Sequence, residues 1–310
     1  MTRKSKWIEI DSPDEPAVAV ASRTLGTRLR LIWSYLKLIR KSSGEQVERV
    51  HQLRVSTRRA IAAVDSFAAV LPPKPVQWFA KQLKSIRKSA NDARDLDVMM
   101  QKVREWPDNQ CRTAKAELLK QLNDQRHVAQ RPMDKIHHRL KKKHFNRHIR
   151  KLIGHSSNTW SATSHITFGE LAATRLHALL TQFGESGRAD LHSIDMLHRF
   201  RVHGKQLRYA MEVFAGTYTA EFRSELYPVL VDIQQRLGDI NDAAGATAYF
   251  QQMQANLVDS EQKLLLQQMH YEEQKNLTRL HQEFLIWWND DRRCDFSSRL
   301  AVQLSLTKAG

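Results

Sequence analysis

The chain has 310 residues, with 49 Lys plus Arg against 33 Asp plus Glu, a formal charge of +16 and a pI near 10.0. Its 41% hydrophobic content argues against disorder and suffices for one large or two ordinary domains, while the excess positive charge draws polyanions: nucleic acid, an anionic membrane surface or a phosphate compound. Cys111 and Cys294 fit no disulfide framework or zinc spacing, and no signal-peptide pattern or 18-residue apolar run occurs, so a soluble protein of the reducing cytoplasm is expected.

Residues 1–16, ending at "DSPDEP", read as a polar leader. Apolar residues at helical spacing through Leu25, Leu29, Ile32, Leu36 and Ile39 then predict a long first helix. After "KSSGEQ" a second helix is predicted, "VERVHQLRVSTRRAIAAVDSF", closed by "LPPKP"; a third begins at "VQWFAKQLKSIRKSANDARDLDVMMQKV". Two further helical patterns occupy 110–129 and 132–152. "GHSSNTWSATSH", 154–165, is polar and turn-rich and is taken as a linker. Helical spacing resumes through "TFGELAATRLHALLTQF", "SIDMLHRFRVHGKQLRYAMEVFAGTY" and "AEFRSELYPVLVDIQQRLGDINDAAGATAYFQQM". A Gln-rich amphipathic stretch, 260–288, ends in Trp287 and Trp288, and 291–310 is left as a tail. With no run of alternating strands, the expected class is all-α.

The two halves of this pattern repeat. His51-x-x-Arg54-Val55 matches His198-x-x-Arg201-Val202 at an offset of 147 residues, and the same offset carries Arg58 to Lys205, Asp65 to Glu212 and Phe67 to Phe214. Without a gap it also pairs Arg28 with Arg175, Leu83 with Leu230, Ile86 with Ile233, Asp92 with Asp239 and Asp95 with Asp242. Such register implies an internal duplication, with one half at about 17–155 and the other at 163–290, packed as a pseudo-symmetric pair of helical bundles, with two independent domains on a flexible linker as the alternative.

Each copy has one basic and one apolar face. At 100° per residue, Arg58 lies about 20° and Arg54 about 60° from His51, whereas Leu53, Ala60, Val64 and Phe67 fall on the opposite side. Phe200, Leu207, Met211 and Phe214 repeat the apolar arc, and His198, Arg201, Lys205 and Arg208 the basic one. A lone charged face is ordinarily just solvated; two copies in register point instead to a binding wall. Guanidinium forks match phosphate oxygens, so Arg54, Arg58, Arg59, Arg201, Lys205 and Arg208, with Arg28 and Arg175 beside them, are candidate anion ligands. Lys84, Arg87 and Lys88 add charge to the third helix. Residues 131–151 hold nine Lys or Arg against one acid, and Lys142 and Arg147 are taken from that segment. The histidines either touch the anion or sit buried and orient the arginines. Asp92, Asp95, Asp239, Asp242 and Glu212 are expected to hold guanidinium groups through ion pairs, with general acid/base catalysis and metal ligation as alternatives.

At these residues the sequence resembles the CHAD family, the conserved histidine α-helical domain. The resemblance rests on the His-x-x-Arg helices "VHQLRVSTRRA" and "LHRFRVHGKQLRYAMEVF" and on the Asp-rich turns "DARDLDV" and "LGDINDA", although "SANDARD" lacks the usual Leu-Gly before the first. It spans about 17–290 and implies two four-helix bundles, related by pseudo-twofold symmetry, around a basic cavity. It also implies binding of inorganic polyphosphate. "WIEID" lacks the alternating Glu-x-Glu-x-Lys strand of the CYTH triphosphatase domain that precedes some members, so a stand-alone, non-catalytic binding module is expected, without cofactor or metal, in the cytoplasm or at polyphosphate granules.

Two other readings stay open. A metal-dependent phosphohydrolase would use the histidines and Asp pairs, but His144 and His148 lie among cations that repel a divalent ion. Nucleic-acid binding fits the charge, yet the chain has no helix-turn-helix, RNA-recognition or zinc-finger signature and no aromatics interleaved with the basic stripe.

Overall fold

Regular apolar spacing makes the chain helical along most of its length. The computed structural model describes residues 5–41, 46–107, 111–154, 165–255 and 259–305; the expected linker falls outside these residues apart from its two ends. Ten α-helices follow in order: α1 Ala17–Lys41, α2 Gln46–Ser66, α3 Pro73–Glu105, α4 Arg112–Lys142, α5 Phe145–Gly154, α6 Phe168–Arg188, α7 Ile194–Phe214, α8 Tyr227–Ala255, α9 Ser260–Trp287 and α10 Asp290–Ser305. Among the described residues, β-structure is limited to an isolated bridge between Pro16 and Thr167. The chain is all-α.

The apolar arcs read from sequence are buried. Leu25, Leu29 and Ile32 of α1 have no exposed surface, nor do Leu53 and Ala60 of α2 or Phe200, Leu207, Met211 and Phe214 of α7. Local chemistry sets several boundaries. Pro72 and Pro73 stop the preceding turn and open α3, where a missing N–H costs nothing in the first turn. Thr167 and Glu170 form a reciprocal capping box at the start of α6.

One boundary differs from the sequence expectation. Pro132 does not separate two helices: α4 runs through it, and the break comes at His144, in the left-handed region at φ 53°. Proline clashes with and orphans the carbonyl four residues back, that of Val128; this residue is 55% exposed, so water can satisfy the freed group. The turn at His144 lets Phe145, Ile149 and Leu152 of α5 face the core.

Packing repeats from one half to the other. α2 lies between α1 and α3, with α4 on α3; α7 lies between α6 and α8, with α9 on α8. The halves meet through α2 against α7, α1 against α6 and α4 against α9. A single apolar core crosses this join, taking Leu53, Phe67 and Leu83 from the first half and Phe183, Phe214 and Leu230 from the second. A smaller core lies where the tips of the α3–α4 and α8–α9 hairpins meet, built from Met99, Val103, Leu118 and Leu122 with Ala246, Phe250, Leu265 and Met269.

The described segments nearest both ends of the chain, 5–16 and 290–305, pack on the fold. The leader is polar by composition, but residues 5–16 form a strap that reaches the second half. Phe168 N–H donates to the Glu15 carbonyl at 2.8 Å and Gly169 N–H to that of Pro13 at 2.8 Å. Ile8 is buried, and the strap crosses Gly216 so closely that a Cβ there would lie 2.9 Å from Ile10 Cγ1. Of the expected tail, residues 291–305 belong to α10, which packs Phe296, Leu300 and Leu304 inward.

Candidate anion-binding face

The contact of α2 with α7 brings the two basic stripes together. Arg54, Arg58, Arg59, Arg201, Lys205 and Arg208 are all partly buried there, as are Arg28 on α1 and Arg175 on α6. Arg58 and Arg201, from opposite halves, each lie in the field of Lys205. Burial, then Arg201, Arg58 and Arg208, push the Lys205 ammonium down to about 7, with Asp242 opposing. Burial, then Arg58, push Arg54 down to about 10, and burial lowers Arg201 against the pull of Asp242. The shared cause is crowding of like charges in a partly desolvated seam.

Several of these groups also hold the scaffold. Arg54 Nη1 donates to the Ala90 carbonyl of α3 at 2.9 Å, tying α2 to its neighbour. Arg59 Nε donates to Glu212 Oε2 at 2.8 Å across the α2–α7 contact, and the Tyr227 hydroxyl donates to Oε1 at 2.7 Å. Arg28 Nη1 donates to the Arg59 carbonyl at 2.7 Å and Nη2 to that of Lys6 at 3.2 Å. Burial pushes Arg28 down to about 10, with Glu212 opposing. Asp65, which the 147-residue offset in sequence equates with Glu212, lies in the fields of Arg175 and Lys84.

By contrast, Nε of Arg175, Arg201 and Arg208 is buried and meets no acceptor among the described residues. A buried N–H left unpaired costs about 1–3 kcal/mol, so these donors favour an acceptor-rich, anionic ligand.

The remaining candidates separate into groups. His51 and His198 are exposed and make no hydrogen bond among the described residues, which is not the buried orienting role considered for them. Asp92, Asp95, Asp239 and Asp242 are exposed and form no direct ion pair with arginine among the described residues. Of the candidate acids, Glu212 is the one that makes that contact among the described residues. Asp95 and Asp242 act through the longer-range field, Asp242 reaching Asp95 across the halves in the same way. Partial desolvation at its carboxylate raises Asp95 above the usual range; Arg54 opposes this and Asp92 and Asp242 add to it. Lys84, Arg87, Lys88, Lys142 and Arg147 are exposed. No contact joins the last four to the arginine cluster among the described residues. His148, next to Arg147, instead stacks on Trp78 with ring centroids 3.8 Å apart.

The sequence reading did not single out Tyr227, which anchors Glu212, or Lys6, whose ammonium lies 4.0 Å from the centre of the Tyr227 ring. The offset that equates Asp65 with Glu212 marked the acid, but nothing local marked its partners. No group of three His, Cys, Asp or Glu among the described residues could hold a metal ion, and no described helix is long and apolar enough to cross a membrane. Two shallow grooves, between α8 and α9 at Asp232, Arg236 and Phe284 and between α3 and α4 at Ser89, Arg131 and Arg139, lie outside the arginine seam.

Comparison with known proteins bears on this arrangement. A family model described as the CHAD domain matches residues 23–251. A search of curated proteins found no match. Among solved structures, the crystal structure of the CHAD domain from the plant Ricinus communis is similar, with a TM-score of 0.67 and 20% identity, over 89% of this chain and 91% of that one. At that identity the likeness concerns the fold.

Proposed function

Because the chain belongs to the CHAD domain family, which is linked in general to polyphosphate binding, we propose that it binds inorganic polyphosphate along the seam between α2 and α7. The observation that carries this reading is the gathering of Arg54, Arg58, Arg201 and Lys205 from two helices in one partly desolvated field, beside buried Nε donors of Arg201 and Arg208 that meet no acceptor among the described residues. A polyphosphate chain supplies negative charge and bridging acceptors at each unit, and arginine forks grip its oxygens. The two matching stripes are read as the product of an internal duplication, which gives one repeating ligand two equivalent walls.

The proposed role is binding without catalysis or cofactor, in the cytoplasm and at polyphosphate granules where these form. Joint replacement of Arg58, Arg201 and Lys205 by Met, which keeps their aliphatic stems, should weaken long-chain polyphosphate by at least about 30-fold in calorimetry at ~0.1 M salt, three charge-assisted contacts being lost. Equal affinity of variant and wild type would place the ligand elsewhere. Double-stranded DNA at equal phosphate concentration should fail to displace polyphosphate; efficient displacement would make the protein a general polyanion binder.

A further inference from the structure

The strap ahead of α1 adds a cation to this seam. Backbone hydrogen bonds to Phe168 and Gly169, together with the buried side chain of Ile8, fix its path, and Arg28 Nη2 holds the Lys6 carbonyl at 3.2 Å. Lys6 is therefore positioned. Its ammonium stands 4.0 Å from the Tyr227 ring centre and 4.5 Å from that of Trp7, whose ring meets Tyr227 edge-on with centroids 4.8 Å apart.

The local charges do not balance. Glu212 already accepts from Arg59, and Arg28 lies in its field. Lys6 makes no direct ion pair with Glu212 among the described residues, although it lies in the fields of Glu212, Arg59 and Arg208. One carboxylate thus faces Lys6, Arg28, Arg59 and Arg208, a surplus of three positive charges in a partly dry setting. Two aromatic faces stabilise such an ammonium by cation–π attraction without neutralising it. Arg208 links this point to the row formed by Arg201 and Lys205 on the same helix.

We propose that Lys6 is a polyphosphate ligand, extending the row Arg201, Lys205, Arg208 by one further phosphate contact so that the strap forms part of the binding wall. This inference rests on the reading of the seam as a polyphosphate site. Lys6 lies outside residues 23–251, which the family model matches, so the contact belongs to this chain's own N-terminal segment.

The test compares wild type, Lys6→Met and Lys6→Arg in the full chain, titrated with polyphosphate of defined length over a salt series. Methionine keeps an apolar stem against Trp7 and Tyr227 and removes the charge. Lys6→Met should bind about 3- to 10-fold more weakly at ~0.1 M salt, with the slope of log affinity against log salt reduced by about one, and Lys6→Arg should restore both. Thermal unfolding of the ligand-free Lys6→Met protein should match wild type, which separates lost contact from lost folding. If wild type binds polyphosphate and Lys6→Met matches it in affinity and slope, the assignment of Lys6 is wrong while the seam survives. If wild type does not bind, the seam reading itself falls.

Discussion

Glu212 offers the sharpest test of how the two halves are joined. It is 1% exposed, accepts from Arg59 Nε at 2.8 Å and from the Tyr227 hydroxyl at 2.7 Å, and offsets the burial of Arg28. Removing one partner of a fully buried ion pair costs about 3–5 kcal/mol because the other charge is stranded. Arg59 retains 28% exposure and can recover water, so its share falls well below that figure. Tyr227 is 4% exposed and loses its acceptor, at a cost of about 1–3 kcal/mol. Glu212→Ala should therefore destabilise the protein by about 2–4 kcal/mol at pH 7. Glu212→Gln keeps the volume and an acceptor for Tyr227 and should cost roughly half as much. Urea unfolding followed by circular dichroism measures both. With saturating polyphosphate, the alanine variant should regain more stability than wild type, since phosphate replaces the missing counter-charge. Both variants within ~0.5 kcal/mol of wild type, or glutamine as harmful as alanine, would refute the account of Glu212 as the charged clamp.

Other outcomes follow from the same structure. Lys205 is held at about 7 against an ordinary 10.5, so between those values the unfolded chain binds the extra proton and this group's contribution to stability rises with pH. Lys205→Met should gain about 1–2 kcal/mol at pH 6 and less at pH 10, an equal gain at both counting against the assignment. On the proposed reading, bound polyphosphate would reverse the field around Lys205, so binding at pH 8 should take up protons, read as heats that vary with buffer ionisation enthalpy; buffer-independent heats would contradict it. At the hairpin tips, Phe250 has no exposed surface, and Phe250→Ala should cost about 3–4 kcal/mol. Hydrogen exchange in that variant should quicken at the tips of both α3–α4 and α8–α9, and a change confined to α8–α9 would mean that the smaller core does not couple them.

Much of the geometry of the candidate site was legible from the apolar spacing of α2 and α7. Leu53, Ala60 and Phe67, and their counterparts Phe200, Leu207 and Phe214, are buried as their spacing requires, which turns Arg54, Arg58, Arg201 and Lys205 toward the seam. The packing of the leader was not legible because burial is decided residue by residue: Trp7, Ile8 and Ile10 anchor a strap that is otherwise mostly polar. Pro132 misled for a related reason, since its cost depends on whether the Val128 carbonyl reaches water.

By itself the sequence determined helix and the phase of each amphipathic face, because these follow from local stereochemistry and from apolar side chains seeking a common side. Only the tertiary structure decided which charges are satisfied. Arg59 meets Glu212 from a helix 153 residues away, while the buried Nε of Arg201 and Arg208 meets no acceptor among the described residues. That difference depends on how α2 lies against α7 and where the strap crosses them, and the strength of a charge in this seam depends on the water that packing removes.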